Sequence, residues 1–112
     1  MIFEERPWGN FTVLHTEATC QVKKLVVHSG KRLSLQSHKF RAEHWFIVSG
    51  VATVVLDGNT FTRKAGDTVD IEVGQPHRIG NAGTEELVFI EVQTGTYFGE
   101  DDIERLEDDF GR

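Results

Sequence analysis

Residues 30–50 have the sequence GKRLSLQSHKFRAEHWFIVSG, in which two apolar segments flank a short polar one. Gln36 and His38 are two positions apart, so a β-strand there projects both side chains from one face. Glu43 follows after four more residues, at the start of the next apolar segment. Imidazole nitrogens and amide or carboxylate oxygens all bind divalent metals. The stretch therefore predicts a β-structure in which these three side chains lie close together.

A fourth candidate ligand lies further along the chain. His77 follows Pro76 at the beginning of a later predicted strand. Four potential ligands from three strands can converge inside a barrel, which predicts a site for one divalent ion. The alternative is that each polar residue only ends a strand, and spacing alone leaves both interpretations open.

The remainder of the chain also has the pattern of short β-strands. Val, Ile, Leu, Phe and Thr dominate the apolar segments, and turn residues separate them. Asp57-Gly58, between two such segments, predicts a tight hairpin. We expect an all-β sandwich or barrel in one domain over residues 1–112. The predicted strands are 10–16, 21–28, 32–38, 43–49, 52–56, 60–63, 68–73 and 86–93.

The predicted strand 43–49 is apolar on both faces. Trp45 and Ile47 fill one face, and Phe46 and Val48 fill the other. A strand of this kind has to be covered twice, by the barrel core and by a second sheet or a second subunit. We therefore expect a homodimer.

The C-terminal segment differs from the rest. Ile103, Leu106 and Phe110 are three and four positions apart, which predicts a short C-terminal helix packed against the barrel. Residues 98–112 contain seven acidic and two basic residues, so most of the net charge of −6 lies there.

Composition excludes several classes of partner. The sequence has no basic stripe suited to a phosphate backbone, so we expect no nucleic-acid binding. No apolar segment approaches the ~20 residues that span a membrane, so we expect no membrane association. The single cysteine, Cys20, and the acidic start of the chain predict a cytoplasmic protein.

Two motifs resemble those of the cupin superfamily. Residues 30–50 are similar to the first cupin motif, except that Gln36 replaces its first histidine. Residues 66–81 are similar to the second motif, except that Glu72 replaces a proline. The resemblance implies a cupin fold, which is a double-stranded β-helix or jelly-roll barrel. It also implies a metal held by Gln36, His38, Glu43 and His77.

Longer stretches resemble one family within this superfamily. It is the type II phosphomannose isomerase domain, usually fused behind a mannose-1-phosphate guanylyltransferase domain. The resemblance implies a metal-dependent aldose–ketose isomerase that interconverts mannose 6-phosphate and fructose 6-phosphate. The glutamine at the first ligand position is part of that family's pattern. The similar segments are RPWGNFTVL (6–14), CQVKKLVV (20–27), RLSLQSHKFRAEHWFIVSG (32–50), GQPHRIGN (74–81) and YFGEDDIERLEDDFGR (97–112).

Aldose–ketose isomerisation needs a Lewis acid and a base. We expect the metal to supply the first, with zinc favoured and manganese, iron, cobalt or nickel compatible. His44, next to Glu43, is the candidate catalytic base. A barrel-facing carboxylate or a metal-bound hydroxide is an alternative base, and His44 as a packed interface residue is the non-catalytic interpretation.

A sugar phosphate also needs cations, and arginine binds phosphate through two parallel hydrogen bonds. Arg41 lies in the loop between two candidate ligands and is the first choice, as both a substrate-binding and a catalytic residue. The family resemblance adds Arg6, Arg105 and Arg112 as substrate-binding residues. The alternative for Arg105 and Arg112 is that they only neutralise the acidic tail.

Lys39 and Phe40 stand where members of the family often have further histidines. A cupin that binds a sugar or sugar phosphate without catalysis is therefore an alternative function. A metal-dependent oxygenase is a third, which the phosphate-directed arginines disfavour.

Overall fold

The computed structural model describes residues 2–111. These residues form eleven β-strands and one 3-10 helix, Glu100–Asp102, here called the tail turn. No helix among them is long and apolar enough to cross a membrane. The strands are β1 Ile2–Arg6, β2 Gly9–Glu17, β3 Cys20–Val27, β4 Leu35–Ser37, β5 Arg41–Ser49, β6 Val51–Leu56, β7 Asn59–Lys64, β8 Thr68–Ile71, β9 His77–Gly80, β10 Leu87–Gly95 and β11 Glu104–Glu107.

The strands form two antiparallel sheets around one core. Sheet A has six strands in the order β1-β2-β3-β10-β5-β8, and sheet B has five in the order β11-β4-β9-β6-β7. Neighbours in sheet A include strands far apart in sequence, such as β3 and β10, so the chain crosses repeatedly between the sheets. This architecture confirms the prediction of an all-β domain with a jelly-roll arrangement.

The predicted hairpin at Asp57-Gly58 is confirmed. It joins β6 to β7, which pair in continuous register up to Leu56 and Asn59. Asp57 and Gly58 both have positive φ, 49° and 81°. A two-residue turn of this type matches the twist of the flanking strands, and Asp-Gly is among its favoured sequences.

The prediction of a C-terminal helix is wrong. The segment after the tail turn forms β11, which pairs with β4 at the edge of sheet B. Leu106, expected on the buried helical face, is 49% exposed. A helix this short is not stable alone, whereas the open edge of β4 offers unpaired backbone groups. Pairing with that edge therefore decides the conformation of the tail.

Strand limits also differ from expectation in places. The sequence did not predict β1, it predicted β9 only as a strand of unstated length beginning at His77, and the expected strand 32–38 is shorter. Only Leu35–Ser37 is a continuous strand there, while Arg32 makes an isolated bridge to Gly80.

The core is apolar at one end of the barrel. Phe89 of β10 lies between Leu25 of β3 and Ile47 of β5, with the three residues in register. All three are at most 4% exposed. Burial of such side chains contributes about 1.5–3 kcal/mol each, so this layer stabilises the pairing that positions the rest.

The side chains that face the barrel interior are polar toward the other end of the barrel. Two residues further along β10, Glu91 pairs with Lys23 on one side and with Trp45 on the other. The next inward residue, Gln93, pairs with Glu43. All five side chains are buried, so the barrel has an apolar floor and a polar upper interior.

Candidate metal centre

Three of the candidate ligands converge in the polar end of the barrel. His38 lies in the loop before β5, Glu43 on β5, and His77 at the first position of β9. Their ligating atoms all lie within 4.8 Å of one another. His38 Nε2 is 3.1 Å from Glu43 Oε2, and His77 Nε2 is 3.7 Å from Glu43 Oε1. All three residues are buried.

Backbone carbonyls orient both imidazole rings. His38 Nδ1 donates a hydrogen bond to the carbonyl oxygen of Asp102 at 2.9 Å. His77 Nδ1 donates to the carbonyl oxygen of Gln75, also at 2.9 Å. Because a carbonyl can only accept, each Nδ1 has a proton, which leaves Nε2 as the nitrogen that faces Glu43 and that a metal would use. This is the arrangement that metal-binding histidines use.

The charge states also suit a metal. Burial alone would raise the pKa of Glu43, but its hydrogen bond with His38 and the nearby His77 and Arg41 hold that pKa well below its usual range. Burial lowers the pKa of His77 despite the opposing effect of Glu43. An ionised carboxylate beside a neutral imidazole is the form that binds a divalent ion. His38, Glu43 and His77 thus form a candidate three-residue metal site.

Gln36 is adjacent to this site. It pairs with His77 across β4 and β9, and both side chains line the same cavity. The Gln36 amide nitrogen donates to Ser34 Oγ at 2.8 Å. Because the nitrogen makes this contact, the amide oxygen of Gln36 is the atom left to bind a metal. Its role as fourth ligand stays a prediction.

Arg41 is buried against the candidate ligands. Its Nε donates to Glu43 Oε2 at 3.1 Å, and its Nη2 lies 3.4 Å from His38 Nε2. Nη1 is buried and has no hydrogen-bond partner among residues 2–111. A buried nitrogen that lacks a partner is costly, by about 1–3 kcal/mol, and more when the group is charged. The guanidinium therefore has spare donors next to the site.

The structure brings some of the other predicted arginines to the same cavity. Arg6 and Arg105 both line it together with Arg41. Arg105 belongs to β11, so the pairing of the tail with sheet B is what places it there. Arg112 lies outside the described residues. The substrate-binding roles stay predictions.

His44 lies outside the cluster of His38, Glu43 and His77. It lies on the outer face of β5, with its side chain 47% exposed and its Nδ1 2.5 Å from Asp70 Oδ1. Successive residues of a strand point to opposite faces, so the position next to Glu43 directs His44 out of the barrel. A catalytic role for His44 has no support in this geometry.

Sequence reasoning missed a buried carboxyl beside the centre. Trp45 Nε1 lies 3.1 Å from Oε1 of both Glu43 and Glu91, so the indole links the two carboxyl groups. Burial, reinforced by Glu43, raises the pKa of Glu91 to about 8. The sequence did contain a signal, because Phe89, Glu91 and Gln93 alternate along one strand face and two of them are polar.

A second missed residue connects the tail turn to the site. The carboxylate of Asp102 accepts hydrogen bonds from the backbone nitrogens of Lys39 and Phe40, both at 3.0 Å. The carbonyl of the same residue orients His38. The tail turn therefore holds the loop that presents one of the metal-ligand candidates. No sequence pattern indicates this contact between residues more than sixty positions apart.

Comparison with known proteins agrees with this architecture. The family model described as mannose-6-phosphate isomerase C-terminal matches residues 3–108. Among solved structures, the Lactobacillus farciminis oxalate decarboxylase formate complex aligns with a TM-score of 0.81 at 23% identity, covering 94% of this chain and 33% of that one. The Schizosaccharomyces pombe Cnp3 cupin domain aligns with a TM-score of 0.74 at 18% identity, covering 77% and 64%. These similarities confirm the cupin fold.

Curated relatives are longer proteins. The alginate biosynthesis protein AlgA of Pseudomonas aeruginosa is 49% identical over 107 residues, which are 96% of this chain and 22% of that protein. The xanthan biosynthesis protein XanB of Xanthomonas campestris is 44% identical, with 96% and 23% covered. A mannose-1-phosphate guanylyltransferase of Salmonella montevideo is 41% identical, again with 96% and 23% covered. The chain thus spans about a fifth of the length of these relatives.

These names overturn one prediction. The interconversion of mannose 6-phosphate and fructose 6-phosphate, expected from resemblance, is wrong as an activity of this chain. The relatives are named for alginate synthesis, xanthan synthesis and guanylyl transfer, and the chain matches only a small part of each. What the match establishes is the family of the domain.

Family membership follows from the extent of the match. The family model covers nearly the whole chain, and a relative with 49% identity covers 96% of it. The matched region contains all the strands that build the candidate metal site. The chain belongs to the mannose-6-phosphate isomerase C-terminal family and has the cupin fold.

Proposed function

We propose that this domain binds one divalent metal ion and, with the metal, a small sugar phosphate inside the barrel. The observation that supports this most directly is the convergence of His38, Glu43 and His77. Their donor atoms lie within 4.8 Å of one another at a buried point that borders a cavity. Burial of ionisable groups is unfavourable unless they are paired, hydrogen-bonded or bound to a metal.

The donor chemistry suggests which metal is held. Two imidazole nitrogens and one carboxylate oxygen, with the Gln36 amide oxygen as fourth ligand, form a mixed nitrogen and oxygen set. Such a set suits zinc first, and manganese, iron, cobalt or nickel as well. A bound divalent ion polarises the hydroxyl or carbonyl oxygens of a ligand.

Arg41 supports an anionic ligand. Its guanidinium is 3% exposed, and its Nη1 has no hydrogen-bond partner in the described part of the chain. A ligand oxygen with negative charge would satisfy these donors, and arginine binds phosphate in two-pronged fashion. Arg6 and Arg105 add positive charge to the wall of the same cavity.

A sugar phosphate combines the features that this cavity recognises. Its hydroxyl groups suit the metal and the polar upper interior, and its phosphate suits the arginines. The names of the family and of one relative refer to mannose 6-phosphate and mannose 1-phosphate, so mannose phosphates are the first ligands to examine.

The outer face of β5 supports a homodimer. Phe46 and Val48 are 44% and 46% exposed, although both are large apolar residues. Ile90 of β10 pairs with Phe46 and continues the apolar surface. Contiguous apolar surface of this kind marks interaction sites, and we propose a second copy of the chain as its cover. The cytoplasmic location stays a prediction from the single cysteine, Cys20.

Calorimetric titration tests the proposed function. Mannose 6-phosphate, mannose 1-phosphate and mannose are each titrated into the metal-loaded chain and into the chelator-treated chain. We expect both phosphates to bind the loaded chain about tenfold or more tightly than the treated chain, and mannose to bind weakly. Equal affinities with and without metal, or equal affinities for mannose and its phosphates, would contradict the proposal.

A further inference from the structure

We infer that Lys23 and Arg6 form a subsite for the anionic group of the ligand, and that Glu100 of the tail turn occupies this subsite when no ligand is bound. The inference deepens the proposed function and rests on it for the identity of the ligand. It assigns the phosphate group of a sugar phosphate to the end of the cavity at Lys23 and Arg6. The hydroxyl oxygens of the sugar then face the metal at the other end.

Lys23 is a buried cation with little internal compensation. It lies on the inward face of β3, and its side chain is only 7% exposed. Its ion pair with Glu100 Oε1 is long, at 3.9 Å. Glu91 is its cross-strand neighbour, but burial raises the pKa of Glu91 to about 8, so that carboxyl provides little negative charge near neutral pH. Burying an ammonium is unfavourable by several kcal/mol unless it is paired. A buried lysine in a cavity wall whose ion pair is this long is therefore available to bind an anion.

Arg6 provides a second cation at the same point. Its Nη2 donates to Glu4 Oε1 at 3.0 Å and also lies 3.6 Å from the same oxygen of the tail turn, Glu100 Oε1. Both cations also lie over one aromatic ring, that of Phe11, with Lys23 Nζ 4.4 Å and the Arg6 guanidinium carbon 4.9 Å from its centroid. The ring holds the two side chains near each other, and both line the cavity of the candidate metal centre.

Glu100 has the features of an internal substitute for a ligand. Its carboxylate oxygen lies between the two cations, yet both distances exceed hydrogen-bond length and the side chain is 47% exposed. Pairs of this kind are weak, at about 0–1 kcal/mol. A phosphate has more charge and more acceptor oxygens than a carboxylate, so it would displace Glu100.

The tail turn keeps Glu100 close while allowing this exchange. Asp102, two residues later, is fixed by hydrogen bonds to the loop after His38. Glu100 is therefore tethered beside the subsite but makes no hydrogen bond of its own within the described residues. Because Asp102 also orients His38, a ligand that moves Glu100 acts on a turn that touches the metal centre.

The test uses inorganic phosphate as the probe of the subsite. It is titrated by calorimetry, near pH 7.5, into the chelator-treated full chain and into three variants. Glu100→Gln removes the carboxylate charge that contacts both cations, and Lys23→Met removes the buried ammonium with similar side-chain length. Lys24→Met is the matched control, because the side chain of Lys24 is exposed.

We expect Glu100→Gln to bind phosphate about fivefold more tightly and Lys23→Met to bind it at least about tenfold more weakly. Lys24→Met should match the wild type. The inference is overturned if the wild type does not bind phosphate, or if Lys23→Met binds it as well as the wild type does. If Lys23→Met does not fold, Glu100→Gln alone decides the outcome. A phosphate affinity equal to that of the wild type then overturns the inference.

The result separates this inference from the proposed function. If phosphate binding follows the pattern above but mannose 6-phosphate affinity does not depend on metal, the subsite stands and the proposed function fails. If metal-dependent binding of mannose 6-phosphate is equally tight in wild type and Lys23→Met, the proposed function stands and the subsite is overturned.

Discussion

The imidazole of His38 and the carboxylate of Glu43 lie 3.1 Å apart with both side chains 2% exposed. The two residues come from different elements, a loop and a strand, so their contact depends on how the loop is fixed. Asp102 fixes it from outside the barrel through three hydrogen bonds. The acidic tail therefore belongs to the architecture of the site.

Removing the Asp102 carboxylate should weaken both the fold and the metal site. Asp102→Ala leaves two backbone nitrogens of the loop without partners, so we expect a loss of about 1–3 kcal/mol in the free energy of unfolding. The backbone carbonyl that orients His38 remains in this variant, but the tail turn is no longer tied to the loop after His38, so metal affinity should fall about tenfold. Urea unfolding and metal titration measure the two effects. Asp101→Ala is the control, since Asp101 is exposed and bonds only the Tyr97 hydroxyl among the described residues; equal effects in both variants would contradict this role.

Arg41 should oppose metal binding and support anion binding. Its guanidinium contacts Glu43 and His38, so its positive charge lies next to the point where the ion binds. We expect Arg41→Gln to raise metal affinity by about tenfold, because a like charge is removed. The same variant should weaken mannose 6-phosphate binding to the loaded chain by about tenfold or more. A fall in metal affinity, or unchanged sugar-phosphate affinity, would show that Arg41 acts differently.

Glu91 should make the metal-free chain less stable as the pH rises towards about 8. Burial raises its pKa to about 8 in the folded chain, from 4.5. Between these values the folded state holds the extra proton, so stability falls with rising pH, by up to about 1.4 kcal/mol per pH unit. The lowered pKa of His77 has the opposite effect, but only below its ordinary value of 6.5.

The window for measuring Glu91 is therefore about pH 6.5 to 8. Urea unfolding of the chelator-treated chain should show falling stability across this window in the wild type. Glu91→Gln has no proton to lose there, so its stability should stay nearly constant. Parallel curves for the two proteins would mean that Glu91 is ionised throughout.

An acidic residue on the outer face of β5 should prevent dimerisation. Phe46→Asp places a charge in the exposed apolar surface, and charges at interface cores are strongly unfavourable. We expect sedimentation to show a dimer for the wild type and a monomer for the variant. Thr62→Asp, exposed on β7 of the other sheet, controls for the effect of aspartate in a strand. A wild-type monomer, or a dimer that survives Phe46→Asp, would contradict this interface.

Alternation and turn residues were enough to predict most of the fold. The hairpin at Asp57-Gly58 and the buried strand around Trp45 follow local rules that act over a few residues. The tail could not be predicted in this way. The spacing of Ile103, Leu106 and Phe110 favours a helix locally, but pairing with the edge of β4 provides backbone hydrogen bonds that a short helix lacks.

The candidate site shows the same division. Spacing within a strand and the resemblance to known motifs pointed to His38, Glu43 and His77, and the structure brings them together. Lys23 and Glu91 were missed, although both are polar residues at inward-facing positions of apolar strands. Their pairing depends on the register of β3 with β10, which is set by contacts across the whole sheet.

Metal titration of the purified chain tests the central proposal most directly. After treatment with chelator, Zn²⁺ or Co²⁺ is titrated into the wild type, His77→Ala, Glu43→Gln and the control His15→Ala, whose histidine is exposed and far from the donor cluster in sequence. We predict one ion per chain for the wild type and the control, with affinity reduced about a hundredfold in the two site variants. Failure of the wild type to bind an ion, or binding by His77→Ala and Glu43→Gln as tight as that of the wild type, would contradict the assignment of His38, Glu43 and His77 as a metal centre.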